Sequence, residues 1–247
     1  MIMQWYKDPN YSHGFIVPII AGYFLYQRFD DLRKTSVAPS NTGLYIIILG
    51  LLTLTIAYTG TEYFTMRSSL LVILAGIVLY FFGKEVFKVV LLPLGYLVFM
   101  VPLPYIVYDS IAFPLKLFVA KYSVLFLKTI GISVWREGNI IMLSNTVLEV
   151  ADACSGIRSL MSLLALSVAF AYFSQNSTIK KVIVISSAIP IAIFANGIRV
   201  IVTGILAQYW GAQAAEGFFH EFAGLAVFGV AVAMLLVTVA IVRRIGR

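Results

Sequence analysis

The 247-residue chain contains one cysteine, Cys154, and two histidines, His13 and His220. One thiol cannot close an internal disulfide, and alone it cannot build a structural zinc site. The histidines stand far apart and neither HExxH nor CxxC spacing occurs, so no metal centre and no cofactor is expected. Charge is scarce too: Asp, Glu, Lys and Arg make up 12% of residues, which excludes an ordinary soluble globular domain. Met1 to Ser12 holds Lys7, Asp8 and Pro9 and lacks the apolar core of a cleavable signal peptide. There is no low-complexity tract and no internal repeat, and one domain over 1–247 is expected.

What is present is apolar sequence. Hydrophobic residues make up 61% of the chain, in runs that approach the roughly 20 residues a helix needs to cross hydrocarbon. The runs are uniformly apolar rather than alternating, which excludes membrane strands. The expected class is therefore an all-α polytopic membrane protein in the lipid bilayer. Candidate spans are Gly14–Gln27, Gly43–Thr59, Ser69–Phe82, Val89–Val107, Ser155–Phe173, Val182–Ala207 and Glu221–Val242. Pro93, Pro102 and Pro104 are expected to kink or end the fourth. The net charge of +7 suggests nucleic acid only superficially; in such a chain Lys and Arg set membrane orientation, and no nucleic-acid partner is expected.

Ile111–Ile130 is apolar but carries Lys116, Lys121 and Lys128, each costing about 2.5–3.5 kcal/mol at a helix centre on insertion scales. An interfacial or re-entrant helix is the cheaper solution. About seven crossings then remain, and the loops at 28–42, 83–88 and 174–181 share a side with the C-terminal tail. Those segments hold Arg28, Arg33, Lys34, Lys84, Lys88, Lys180, Lys181, Arg243, Arg244 and Arg247, ten of the 18 basic residues. The positive-inside rule puts the tail in the cytoplasm and the N-terminus outside.

On that topology the stretch before Cys154 lies outside. Asn139–Leu143 and Thr146–Val150 flank Ser144-Asn145 and predict a small extracytoplasmic β-hairpin. It leads into Ala151-Asp152-Ala153-Cys154-Ser155-Gly156-Ile157-Arg158. Cys154 is either a small packing residue or a nucleophile. A helix N-terminus can lower a thiol pKa toward neutrality, and Arg158 at i+4 adds positive charge. Arg199 lies about 17 residues into an outward-running helix, roughly 26 Å along it, level with Arg158. It is a functional-site candidate or an ion-pair partner of Asp152 or Glu149. His220 opens the last helix on the same side. Three helices thus deliver Cys, Arg and His to one depth, the residue types that activated cysteine chemistry requires. His13 either joins them or caps the first helix. The aromatic loops, with Tyr209-Trp210 and Phe218-Phe219, read as interface anchors.

These residues resemble the exosortase/archaeosortase family of membrane-embedded cysteine transpeptidases. Cys154-Ser155-Gly156-Ile157-Arg158-Ser159 is similar to the family's Cys box, and Asn196-Gly197-Ile198-Arg199-Val200 to its Arg box. His220 with Gly224 is similar to its His box, and Tyr11-Ser12-His13-Gly14-Phe15-Ile16-Val17 to its N-terminal signature. Family members commonly have about eight spans, with a helix ahead of that signature; an upstream helix would restore the count.

The resemblance implies a partner protein with a C-terminal sorting signal: a short motif (Pro-Glu-Pro-like in bacteria), one membrane helix and a basic end. It implies Cys154 as nucleophile, His220 as base and then acid, and Arg199 steadying the oxyanion or substrate carboxylates. Arg158, Asn196, Ser155, His13 and Asp152 would support them. A thioester would pass to an amine or hydroxyl acceptor, or to water, outside the cytoplasmic membrane. Two other readings stand beside it: a transporter or flippase of an anionic lipid or saccharide, and a non-enzymatic factor for polysaccharide export.

Overall fold

A computed structural model describes residues 1–144, 146–150, 156–211 and 218–245, with backbone alone at Pro9 and 218–222. The chain forms two compact units, Met1–Tyr105 and Ile106–Arg247. Helices dominate both, as hydrocarbon requires: with no water to satisfy N–H and C=O groups, each span must bond internally.

The first unit contains α1 (Ile2–Lys7), a 3-10 segment (Pro9–Phe15), α2 (Ile16–Gln27), α3 (Phe29–Lys34), α4 (Thr42–Thr59) and α5 (Tyr63–Tyr96), which runs on as a 3-10 turn to Met100. Glu62 caps α5, accepting from the Phe64 and Thr65 amides at 3.1 and 2.7 Å. Glycines let α4 and α5 pack backbone to backbone. A β-carbon on Gly76 would lie 2.8 Å from the Ile47 nitrogen, and one on Gly50 would lie 2.7 Å from Ile73 Cγ1.

Three expectations change here. The expected spans Ser69–Phe82 and Val89–Val107 are two arms of one 38-residue helical run, Tyr63–Met100. The expected loop at 83–88 is a one-residue break at Gly83, with φ 86°. An extended segment passes the break: Ala38 donates to the Phe82 carbonyl at 3.2 Å and Ser40 to Leu79 at 3.3 Å. Any β-carbon on Gly83 would overlap the Ala38 carbonyl. Pro93 stays inside the helix. The expected span Gly14–Gln27 is α-helical only over the 12 residues of α2, about 18 Å, because the preceding turn is wound as 3-10. There Trp5 occupies the space beside Gly14 and donates from its indole to the Met100 carbonyl at 3.0 Å.

The second unit contains α6 (Tyr105–Thr129), β1 (Val134–Glu137), β2 (Ile140–Leu143), β3 (Val147–Glu149), α7 (Ile157–Ser174), α8 (Thr178–Trp210) and α9 (Phe218–Arg244). The segment expected to lie along the interface, Ile111–Ile130, falls in α6, 25 residues long and apolar enough to cross a membrane. The lysines are accommodated differently from the expectation. Lys116 is buried against protein, at 8% exposure, and Lys128 sits in the last turn with its ammonium 5.6 Å from the Trp135 ring centroid. By length and composition, six helices among the described residues can span: α4, Tyr63–Met100, α6, α7, α8 and Ala223–Arg244.

The predicted hairpin is present as β2 and β3, antiparallel with Met142 opposite Val147, and β1 extends it to three strands in the order β1-β2-β3. Gly138, at φ 59°, turns β1 into β2. Val134, Ile141, Leu143 and Val150 point into a core shared with Val119, Ala120, Val124 and Leu127 of α6 and Val200 and Ala207 of α8. A second core joins α7, α8 and α9 through small residues, including Ala171, Ala188, Ala192, Ala195 and Ala231, with Leu163 and Leu235. Small side chains allow the close approach that packing in lipid depends on. Gln175, between α7 and α8, donates to the Val239 carbonyl at 3.1 Å and ties their turn to the end of α9.

Candidate functional site

The site is assembled at the other end of α7, α8 and α9. Helix α7 starts at Gly156, whose φ of 77° is the left-handed region that L side chains avoid. It is also tightly packed: a β-carbon there would sit 3.0 Å from Asn196 Cγ and 3.1 Å from its Nδ2. Asn196, on α8, is 2% exposed. The first turn of α7 is thus seated on the Asn196 carboxamide.

One helical turn further along α8, Arg199 reaches α9. Its Nη2 lies 3.3 Å and its Cζ 3.4 Å from where a β-carbon on Gly224 would stand. The guanidinium therefore packs against the α9 backbone at Gly224, where a β-carbon would press on it and shift it by a few tenths of an ångström. Gly224 follows His220 by four residues, so the two positions share one face of α9. Val200, next to Arg199, is buried in the core under the sheet, which fixes this part of α8 from the other side.

Cys154, Ser155 and Asp152 lie outside the described residues, and so does the side chain of His220. The described residues that flank 151–155 are firmly held. Val150, 2% exposed, donates its amide to the Asn139 carbonyl at 2.9 Å, and Asn139 Nδ2 returns to the Val150 carbonyl at 3.3 Å. Downstream stands Gly156. A glycine cap offers no side-chain oxygen, so residue 156 gives the first-turn amides of α7 no side-chain acceptor. Arg158 is half-buried in that first turn. Of the two ion-pair partners considered for Arg199, Glu149 is exposed and accepts from Asn139 Nδ2 at 3.4 Å.

His13 belongs to the first unit. Its Nε2 donates to the Phe99 carbonyl at 3.2 Å, and burial holds its pKa below the ordinary value despite carbonyls of Phe99 and Asn10 that favour the cation. The imidazole thereby fastens the 3-10 segment to the 3-10 turn that ends the α5 run, rather than capping α2, which has no side-chain cap. Among the described residues, no group of three or more His, Cys, Asp or Glu is placed to hold a metal.

The sequence names Asn196 and Gly224 beside Cys154, Arg199 and His220, but not the contacts they make, nor the role of Asn139. The Gly156–Asn196 seat had a signal, a glycine directly ahead of an apolar helix. The Gly224 contact had its spacing from His220 and its place in the His-box resemblance, neither of which points to Arg199. The Asn139 staple is visible only once β2 and β3 are paired.

A family model described as transmembrane exosortase matches residues 5–237 of the chain. Neither a curated protein nor a solved structure matches it.

Proposed function

Because the chain belongs to the transmembrane exosortase family, we propose that it is a membrane-embedded cysteine transpeptidase acting on the C-terminal sorting signals of exported proteins. The observation that carries the reading is the meeting of α7, α8 and α9 at one end: Gly156 on Asn196, and Arg199 over Gly224. Those contacts join the segments that hold Cys154, Arg199 and His220 in sequence.

In the proposed reaction the Cys154 thiolate attacks the carbonyl carbon of the scissile peptide, and the carbonyl electrons move to oxygen. Arg199 stabilises that oxyanion. Collapse restores the carbonyl and breaks the C–N bond; His220, having taken the thiol proton, gives it to the departing amine. The membrane helix of the substrate leaves with that amine. An amine or hydroxyl acceptor, or water, then attacks the thioester, with His220 taking its proton as the Cys154 sulfur departs. The chain acts in this reading as a single functional domain.

The face follows from charge within the second unit alone. The end tied together by Gln175 carries Lys180 and Lys181 of α8 and Arg243 and Arg244 of α9. The last turn of α6 and the strands at the sheet end carry two, Lys128 and Arg136. By the positive-inside rule that bias supports a reading in which the sheet end of this unit, and Cys154 near it in sequence, face the extracytoplasmic side of a cytoplasmic membrane.

The test is processing of a tail-bearing exported protein in cells that express Cys154→Ala, Cys154→Ser, Arg199→Ala or His220→Ala. Loss of cleavage in each, with the protein still inserted, is the expected result. Continued cleavage in Cys154→Ala cells would overturn the reading. A transporter or an assembly factor would tolerate Cys154→Ser.

A further inference from the structure

The outward face of the sheet is patterned in rows. Trp135 stands opposite Met142, and Met142 opposite Val147. An apolar row thus crosses all three strands, about 10 Å wide at their usual spacing. Trp135 is 66% exposed and Val147 62%, while the alternate positions Val134, Ile141 and Leu143 are buried against α6 and α8. Two residues along the strands, about 7 Å, the next row is Glu137, Ile140 and Glu149, with both glutamates exposed. The face is amphipathic, apolar in one row and charged at both edges of the next. Its place is set by α6. Lys128, in the last turn of that helix, holds its ammonium 5.6 Å from the Trp135 ring centroid. The apolar row therefore stands beside the end of a helix long and apolar enough to cross a membrane. Helix α8 ends in a similar way: Ala207 shares the core with the strands, and Tyr209 and Trp210 just beyond it are exposed. Aromatic rings and lysines at the ends of spanning helices favour the headgroup level of a bilayer.

We propose that the sheet is a membrane-surface element whose outward face lies on lipid headgroups. Trp135, Met142 and Val147 meet the boundary between headgroups and acyl chains, and Glu137 and Glu149 stay in water. Lipid is the occupant because the row adjoins the end of a helix suited to hydrocarbon. A Trp–Lys pair at that level is also headgroup chemistry, whereas lysine is depleted from the cores of protein–protein interfaces. The carboxylates set the depth. A charge drawn into hydrocarbon is costly, and acids about 7 Å from the row keep the contact as shallow as that of other interfacial elements. The placement holds for either direction of insertion and for any chemistry at Cys154.

The chain has three tryptophans, Trp5, Trp135 and Trp210, and fluorescence quenching reads the depth of one of them. The full chain is placed in nanodiscs of phosphatidylcholine brominated near the headgroup end or near the methyl end of the acyl chain. Trp135 emission is the difference between Trp210→Phe and Trp210→Phe/Trp135→Phe, both of which keep the buried Trp5. The expected result is loss of that emission to bromine near the headgroups, with smaller losses to the deeper bromine and to iodide in the water. Added to the double variant, Val147→Trp should show the same order of quenchers, and Glu149→Trp should be quenched most by iodide. Trp135 emission that iodide takes and bromine leaves would put the sheet in water and overturn the proposal. Emission that none of the quenchers takes would mean that protein, a second copy included, covers the row, and would overturn it equally. Should Trp135→Phe fail to fold, Val147→Trp in the Trp210→Phe chain, read against Trp210→Phe alone, carries the same outcomes.

Discussion

Arg199 of α8 lies against Gly224 of α9, its Nη2 3.3 Å from the position a β-carbon would take. The arginine is held by the shape of a backbone, and that shape can be altered without touching any group with chemistry of its own. Gly224→Val should displace the guanidinium and lower substrate processing by about ten- to a hundredfold, the scale of a misplacement near one ångström. Gly229→Val, on the same helix with nothing within 4 Å of its β-position, should leave processing unchanged. Immunoblotting of the processed substrate compares the two.

Gly156→Ala should act through two separable effects. The positive φ costs about 1–2 kcal/mol for an L side chain, and the new methyl meets Asn196 at 3.0 Å. Adding Asn196→Ala removes the Cγ and Nδ2 contacts but leaves the residue 196 β-carbon 3.1 Å away, so it relieves part of the second effect and none of the first. A double-mutant cycle on thermal unfolding in detergent should therefore show partial rescue.

His13 sets a pH dependence in the first unit. Its folded pKa is depressed below 6.5, mainly by burial. Above pH 6.5 it is neutral in folded and unfolded chains alike. As pH falls below that value the unfolded chain takes up a proton first, so stability declines, by at most about 1.4 kcal/mol per pH unit. His13→Gln keeps a donor for the Phe99 carbonyl but does not titrate, and its melting temperature should fall less between pH 7.5 and 5.

Gly76→Leu should separate α4 from α5, because the Ile47 backbone nitrogen lies 2.8 Å from the new β-carbon and neither helix backbone can yield locally. A loss of about 2 kcal/mol or more is expected from overpacking of this kind, read as a lower denaturant midpoint. Gly22→Leu, with nothing within 4 Å, is the tolerated control.

The class of the fold was legible because apolar runs and short charged loops are properties of composition. The order of the Cys154, Arg199 and His220 segments was legible because α7, α8 and α9 alternate in direction with short connections. Two features were not. Lys116 counted against a crossing because a sequence does not say whether a lysine faces lipid or protein, and here it faces protein. Gly83 reads as part of a loop beside Lys84 and Glu85, yet Lys88 and Glu85 pair at 2.7 Å on a continuing helix. Strand β1 was overlooked although Val134-Trp135-Arg136-Glu137 alternates buried and solvent-facing positions before Gly138.

The packing of Arg199 of α8 on Gly224 of the last helix bears on timing. Residues 154–199 leave the ribosome and can enter the bilayer while α9 is still being synthesised, and until α9 arrives the Arg199 guanidinium has no Gly224 to lie on. A nascent chain halted before that helix holds its thiol without its finished arginine pocket. Closure of the Arg199–Gly224 contact therefore waits on translation itself: no partial product that stops before α9 can make it, and it forms only with the insertion of that helix.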